Sequence, residues 1–257
     1  MNWWKFIFFR HRADMDPFII FYVLLFIVAF LYASVGHGGA SGYLALMALY
    51  GIAPDVMKPT ALLLNIFVSL ISFIQFYKAR HFNRKIFLPL ALASLPLAFA
   101  GGLMVINGDV YKKILGVLLL LPVIRFAFFS NTDVTEMKKP SVVLSVVIGG
   151  TIGLLSGMIG IGGGIILSPI LLLLKWTNQK QTAAISALFI FVNSLAGLGG
   201  QLVKGIEFNS SMIGYVAVAL VGGLLGSWLG ASKFNQPVLQ KILATVLLIA
   251  AIKLITI

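Results

Sequence analysis

The sequence predicts an all-α polytopic membrane protein with about eight transmembrane helices, two short helices that follow glycine-rich breaks, and two homologous halves. Three observations support this fold class. Of the 257 residues, 60% are hydrophobic and only 10% are charged, whereas soluble domains are about 25% charged. The charged residues lie in short stretches between long uncharged tracts, and a glycine-rich pattern occurs once in each half. A water-soluble protein is therefore excluded.

The uncharged tracts give the positions of the helices. A membrane-crossing helix needs about 20 apolar residues. Six tracts meet or nearly meet that length: 17–54, 60–77, 86–107, 140–174, 181–203 and 208–232. Two shorter segments, 114–124 and 242–252, are flanked by Lys or Arg, whose side chains can reach the membrane surface and complete a span. Eight spans is the minimum that this pattern predicts.

The first tract is too long to be one helix. Its 38 residues would form a helix of about 57 Å, but the hydrocarbon core of a bilayer is only about 30 Å thick. We therefore expect the tract to break at its glycines and to continue as a short helix over 43–50. The second half repeats this design, with a break at its own glycines and a short helix over 165–174.

An internal duplication organises the chain. Gly36-His37-Gly38-Gly39 returns as Gly160-Ile161-Gly162-Gly163, Phe82-Asn83 as Phe208-Asn209, and Lys113-Ile114-Leu115 as Lys241-Ile242-Leu243. The predicted organisation is an N-terminal interfacial segment (1–17), a first transmembrane repeat (18–129), a linker (130–140) and a second transmembrane repeat (141–257).

The basic residues indicate how the two halves are oriented. In the first half they concentrate in the loop after the first ordinary span (Lys78, Arg80, Arg84 and Lys85), whereas in the second half the preceding loop holds Lys175 and Lys180. Under the positive-inside rule this change of side favours inverted repeats. The three basic residues before Pro17 argue for the alternative, a parallel repeat.

The net charge of +12 does not indicate a nucleic-acid partner, because the basic residues lie at span ends, as topology signals do. The absence of cysteine excludes disulfides and thiolate metal sites, and no metal or other cofactor is predicted. The segment 1–17 mixes Trp and Phe with basic residues, which is typical of an interfacial anchor and not of a signal peptide. The predicted location is the bacterial inner membrane, and the lipid bilayer is the surrounding partner.

The two glycine breaks are the predicted functional site. Irregular backbone at membrane depth is tolerated where it lines a cavity or is buried in protein. The short helices would direct free amides and positive dipole ends at this site. No Asp or Glu lies within a span, so the predicted ligand is a small anion. The candidate residues are Gly36, His37, Gly38, Gly39, Ser41, Asn65, Ser69, Gly160, Gly162, Gly163, Gly164, Ser186 and Asn193. The alternative interpretation is that these glycines only allow close helix packing.

His37 is the one ionisable side chain well inside an apolar tract. It is the candidate for coupling a proton to transport, since imidazole titrates near neutral pH. A neutral histidine bonded to a carbonyl freed by the break is the other possibility. Asn65 and Ser69 lie on one face of a predicted helix, as neighbours at i and i+4, and a polar face of this kind either lines a substrate path or holds helices together.

An enzyme is not predicted. The chain has no G-x-x-x-x-G-K-[ST] phosphate loop and no H-E-x-x-H zinc motif. Ser34 and Ser41 near His37 could supply a nucleophile and a base, but a third, acidic group is missing.

The segment 157–169, Gly-Met-Ile-Gly-Ile-Gly-Gly-Gly-Ile-Ile-Leu-Ser-Pro, resembles the signature of the TauE/SafE family, the sulfite-exporter-like permeases. The resemblance extends over nearly the whole chain. The first copy departs from the signature, with His37 and Ser41 in the glycine-rich segment and Ala45 where the family usually has proline.

The resemblance implies a secondary transporter of small sulfur-containing anions, such as sulfite or organosulfonates, usually an exporter coupled to an ion gradient. Residues alone indicate only a membrane protein with an anion site, and alternating access around the two breaks is the mechanism that we expect. The competing interpretation is a passive anion channel, in which the breaks form a filter. Neither the particular anion nor the oligomeric state follows from the sequence.

Overall fold

In the computed structural model, which describes residues 17–34, 37–128, 137–206, 211–232 and 236–256, all regular structure is α-helical. The helices of these ranges are α1 Pro17–Ser34, α2 Ala40–Leu49, α3 Pro54–Lys78, α4 Arg84–Leu103, α5 Gly108–Phe128, α6 Val142–Ile159, α7 Gly164–Leu173, α8 Gln179–Val203, α9 Ser211–Ser232 and α10 Gln236–Thr256. The predicted N-terminal interfacial segment apart from Pro17, the linker residues 130–136 and the candidate site residue Gly36 lie outside the described residues.

Within the described ranges, five helices are long and apolar enough to cross a membrane. They are Pro54–Lys78, Arg84–Leu103, Val142–Ile159, Gln179–Val203 and Met212–Leu229, the last of which lies within α9. The predicted all-α class is thereby confirmed for this part of the chain, and eight spans stays a prediction.

Both glycine-rich segments break the helix, as expected. Gly39 precedes α2 with φ 93°, Gly160 ends α6 with φ 89°, and Gly163 precedes α7 with φ 79°. This left-handed backbone is unfavourable for residues with a Cβ. α2 begins at Ala40 and not at the predicted residue 43, because Gly39 provides the left-handed turn whereas Gly42 lies inside the helix. At Gly42 a Cβ would lie 2.5 Å from Val28 Cγ1, so this glycine permits close packing of α2 on α1.

Each break turns the chain back towards the side from which it came. In the first hairpin, the rings of Phe21 near the start of α1 and Tyr50 after the end of α2 have centroids 5.1 Å apart. In the second, the amide of Lys138 before α6 donates to the carbonyl of Lys175 after α7 at 2.8 Å. α1–α2 and α6–α7 are therefore re-entrant hairpins.

Helices of the two predicted halves pack on one another more than on their own half. α1 lies along α9 and α4 lies along α6, so the first helix of each half contacts the fourth of the other. α3 packs on α8, and α5 packs on α10, which pairs the equivalent helices. Exchanging α1–α5 with α6–α10 converts the α1–α9 contact into the α4–α6 contact and leaves the α3–α8 and α5–α10 contacts unchanged.

The contacts of several glycines show the relative direction of the packed helices. Gly149, Gly153 and Gly157 of α6 lie against the carbonyl oxygens of α4 residues Leu90, Ser94 and Ala98, respectively. Gly222 and Gly226 of α9 lie in the same way against the carbonyl oxygens of Phe26 and Phe30 in α1. In both pairs the residue numbers increase together, so α4 runs parallel to α6 and α1 runs parallel to α9.

Candidate functional site

The two glycine breaks meet at the crossing of α3 and α8. A Cβ placed on Gly38 would lie 2.6 Å from Asn65 Oδ1 and 2.8 Å from Ile190 Cγ2. A Cβ placed on Gly162 would lie 2.5 Å from Asn65 Nδ2 and 2.8 Å from the same Ile190 methyl. Each break therefore contacts both side chains, and neither position has room for a residue other than glycine.

Asn65 connects the first break to α8. Its Oδ1 accepts a hydrogen bond from the amide of Ala40, the first residue of α2, at 3.0 Å, and its Nδ2 donates to Ser194 Oγ at 3.3 Å. Asn65 and Ser194 are fully buried. The Asn65 side chain thus accepts a hydrogen bond from the start of α2 and connects α2 to α8, which the second break also contacts.

A second polar network is built around His37. Its Nε2 lies 2.9 Å from Ser168 Oγ, which is 2.8 Å from Ser186 Oγ and also donates to the carbonyl of Gly164 at 2.8 Å. A hydroxyl has one proton to donate. Because Ser168 uses its proton on Gly164, the network is satisfied when His37 Nε2–H and the Ser186 hydroxyl donate to Ser168. All three side chains are buried.

This network has no polar counterpart in the other half. Ser168 is the fifth residue of α7, and the fifth residue of α2 is Leu44. Ser186 is the eighth residue of α8, and the eighth residue of α3 is Ala61. Ile161 stands at the position of His37 in the second break. The polar network is therefore asymmetric, although the sequence pattern around it occurs twice.

Backbone amides and unpaired side chains add hydrogen-bonding capacity. In the described chain, the amides of Gly38, Gly39, Gly162 and Gly163 do not donate to backbone carbonyls. They lie at the amino-terminal ends of α2 and α7, where the helix dipole is positive. Among the described side chains, four buried atoms lack a hydrogen-bond partner: Tyr43 OH, Ser72 Oγ, Ser156 Oγ and Asn193 Oδ1.

The electrostatics of the buried region are simple. His37 is the only ionisable acid or base of the Asp, Glu, Lys, Arg and His types that is fully buried among the described residues. No three His, Asp or Glu residues in the described ranges are grouped closely enough to hold a metal ion. Hydroxyls, amides and one imidazole therefore provide the chemistry of the site.

The structure brings some of the predicted site residues together. His37 and Ser186 meet at Ser168, and Gly38, Gly162 and Asn65 meet beside Ile190. Gly164 also faces Ile190, whereas Gly160 lies against the backbone of Lys58.

Other predicted residues have separate local partners. Ser41 donates to Tyr32 OH at 2.8 Å, Ser69 bonds the carbonyl of Asn65 in its own helix at 2.6 Å, and Asn193 Nδ2 bonds the carbonyl of Phe189 at 2.8 Å. Gly39 packs on the Tyr43 ring, and Gly163 packs on Ile152 and Phe189.

Three residues of the site are absent from the predicted set: Ser168, Ile190 and Ser194. Ser168 had a detectable signal, because it is polar and lies one helical turn after Gly164 in an otherwise apolar helix. Ile190 had no such signal, because it is an apolar residue in an apolar span. Its place emerges only from the contacts with both breaks.

Comparison with known proteins gives one family match and several similar proteins. Residues 21–254 match the family described as sulfite exporter TauE/SafE. A probable membrane transporter protein of Sinorhizobium fredii is 33% identical over 237 residues, covering 91% of this chain and 96% of the relative. Another of Methanocaldococcus jannaschii is 29% identical over 239 residues, covering 88% and 89% of the two chains. No solved structure matches the chain.

Proposed function

Because the chain belongs to the sulfite exporter TauE/SafE family, and is thus a multi-pass membrane transporter, we propose that it exports small sulfur-containing anions by alternating access. The family description names sulfite, and organosulfonates are included in the proposed class because they carry a similar sulfur oxyanion group. The anion binds between the two glycine breaks, on the amides of Gly38, Gly39, Gly162 and Gly163 and on the polar side chains beside them.

The observation that carries this proposal is the convergence of both breaks on Asn65 and Ile190, beside the His37–Ser168–Ser186 network. Amides, hydroxyls and an imidazole N–H are hydrogen-bond donors to an oxyanion. Buried carboxylates, which would repel an anion and suit a cation, are missing from the described residues. The site therefore fits a small oxyanion better than a metal ion or an amine.

Inverted repeats provide the two conformations that alternating access needs. The first hairpin returns the chain to its starting side, so α3 begins where α1 begins and α4, after a short loop, runs opposite to α1. α6 runs parallel to α4 and hence opposite to α1. These directions support inversion of the two halves over the parallel alternative. They also support eight crossings, in which α1, α5 and α10 join the five long apolar helices.

The basic residues support one orientation in the membrane. The side that holds the α3–α4 loop, the start of α6 and the α7–α8 loop carries Lys78, Arg80, Arg84, Lys85, Lys138, Lys139, Lys175 and Lys180. The described residues near the opposite surface include Asp55 and Asp109 beside Lys58, Lys112, Lys113 and Lys204. We assign the first side to the cytoplasm on the positive-inside rule. The start of α8, and Ser186 with it, then lies towards the cytoplasm.

The test is counterflow in liposomes that contain the purified protein. Vesicles loaded with unlabelled sulfite should accumulate labelled sulfite transiently, with a rate that saturates, and methanesulfonate on the inside should substitute for sulfite. A Thr245→Ala variant is the matched control, since Thr245 is exposed and bonds only its own helix. Flux that does not saturate and follows the membrane potential would identify a channel instead. Absence of flux for all sulfur anions would reject the proposed substrate class.

A further inference from the structure

Buried polar side chains lie on one face of α8, both before and after Ile190. Thr182 and Ser186 are buried one helical turn apart, and Ser194 and Gln201 follow, also buried, at intervals of about two turns. Ile190 stands on the same face, one turn from Ser186 and one turn from Ser194. The position of an aliphatic residue between two buried serines is explained by its surroundings.

Glycines enclose Ile190 from both breaks. A Cβ at Gly38 or Gly162 would approach its Cγ2 to 2.8 Å, and a Cβ at Gly164 would collide with its Cγ1 and Cδ1. The side chain is 3% exposed. The space that these glycines leave open is therefore filled by one isoleucine, which touches the first break, the second break and the start of α7.

Ile190 also occupies the position equivalent to Asn65. Each is the twelfth residue of its helix, Asn65 in α3 and Ile190 in α8. Both lie between Gly38 and Gly162. The duplicated frame thus places a polar residue and an apolar residue side by side at its centre.

The two polar networks lie on opposite sides of Ile190 along α8. Ser186, one turn before it, belongs to the network of Ser168 and His37. Ser194, one turn after it, bonds Asn65. In the described residues, no hydrogen bond joins the first network to the second across the isoleucine.

We propose that Ile190 is the central gate of the transport path, an apolar plug beside Asn65 that separates a cytoplasmic polar cluster at His37, Ser168 and Ser186 from an outer polar position at Ser194. This inference rests on the proposed transport function and orientation. An anion cannot pass an aliphatic constriction without losing water and hydrogen bonds. Passage therefore requires α8 to move against the glycine breaks, which lack side chains that would oppose the movement.

Chloride leak tests the gate without using the substrate. Liposomes with the Ile190→Ala variant should lose trapped chloride about tenfold faster than wild-type liposomes, a change equivalent to about 1.4 kcal/mol in the barrier. Ile185→Ala is the matched control, because Ile185 is equally buried in α8 but lies five residues earlier on another face of the helix. Ile190→Leu, which conserves the side-chain volume, should remain tight.

The outcomes separate the gate from the transport function. An Ile190→Ala leak no faster than that of Ile185→Ala would overturn the gate, and so would a wild-type protein that itself conducts chloride freely. Ile190→Val decides the question if the alanine variant does not fold, and it should leak by a smaller factor. If the transport proposal is wrong, the wild type shows no sulfite counterflow. The chloride leak still tests the gate at Ile190 in that case.

Discussion

The imidazole Nε2 of His37 and the hydroxyl of Ser168 lie 2.9 Å apart, although 131 positions separate the two residues in the chain. The contact joins the first break to the short helix that follows the second. Because Ser168 also meets Ser186 and the carbonyl of Gly164, it is the point at which three segments share one hydroxyl.

Replacing His37 tests its part in anion binding. His37→Ala should lower anion affinity roughly three- to tenfold, since one hydrogen bond contributes about 1 kcal/mol. It should also flatten the dependence of flux on pH between about 5.5 and 8, the range in which imidazole titrates. Flux measured in liposomes at several pH values is the readout. His37→Gln keeps an N–H donor and should retain affinity but not the pH response. If the alanine variant keeps the wild-type pH profile, His37 is not the coupling residue.

Ser168 should be more important for stability than its size suggests. Ser168→Ala leaves the buried donors of His37 and Ser186 without their acceptor, which costs about 1–3 kcal/mol. At about 2–4 °C per kcal/mol, the melting temperature should fall by several degrees. Ser145→Ala is the control, because Ser145 bonds only the carbonyl of Ser141 at the start of its own helix. Equal melting temperatures for the two variants would show that the His37 network does not stabilise the fold.

Gly162 should not accept a side chain, for two separable reasons. Its φ of 71° is left-handed, and an added Cβ would lie 2.5 Å from Asn65 Nδ2. Gly205 has a similar φ of 80° but no atom within 4 Å of the Cβ position. Gly205→Ala thus reports the backbone cost alone, about 1–2 kcal/mol. Denaturation should show a clearly larger loss for Gly162→Ala, and equal losses would mean that the crowding at Asn65 relaxes freely.

A negative charge at residue 65 should exclude the anion while preserving the local contact with α2. Asn65→Asp keeps an oxygen that accepts from the Ala40 amide but adds charge repulsion in a low-dielectric site. Sulfite should raise the melting temperature of the wild type but not that of this variant. Asn83→Asp is the matched control, since Asn83 caps α4 in a surface loop. Stabilisation by sulfite in both variants would move the binding site away from Asn65.

The breaks and the polar face were accessible from the sequence because they follow from local rules. A 38-residue uncharged tract cannot cross a bilayer as one helix, and glycines mark where it turns. Asn65 is predictable as a site residue because a polar residue inside a span faces protein.

The partners of these residues were not accessible. The contact of His37 with Ser168 depends on how two re-entrant hairpins pack in three dimensions, and no periodicity encodes it. Ile190 could not be told from the other aliphatic residues of α8 until its contacts with Gly38 and Gly162 were seen. α2 begins three residues before its predicted start. Any of four glycines could form the turn, and only the φ angles distinguish Gly39, which is left-handed, from Gly42.

The exchange of helices between the halves has a consequence for biosynthesis. α1 lies against α9, and the carbonyls of Phe26 and Phe30 lie against Gly222 and Gly226. A nascent chain that ends after α5 therefore lacks the main partner of its first helix and keeps only the smaller contacts with α2 and α3. The hairpin that carries His37 reaches its final packing only after most of the second half has been made. Assembly of this transporter is consequently a late, post-insertion event, and the two halves, expressed as separate polypeptides, should be degraded singly and survive together.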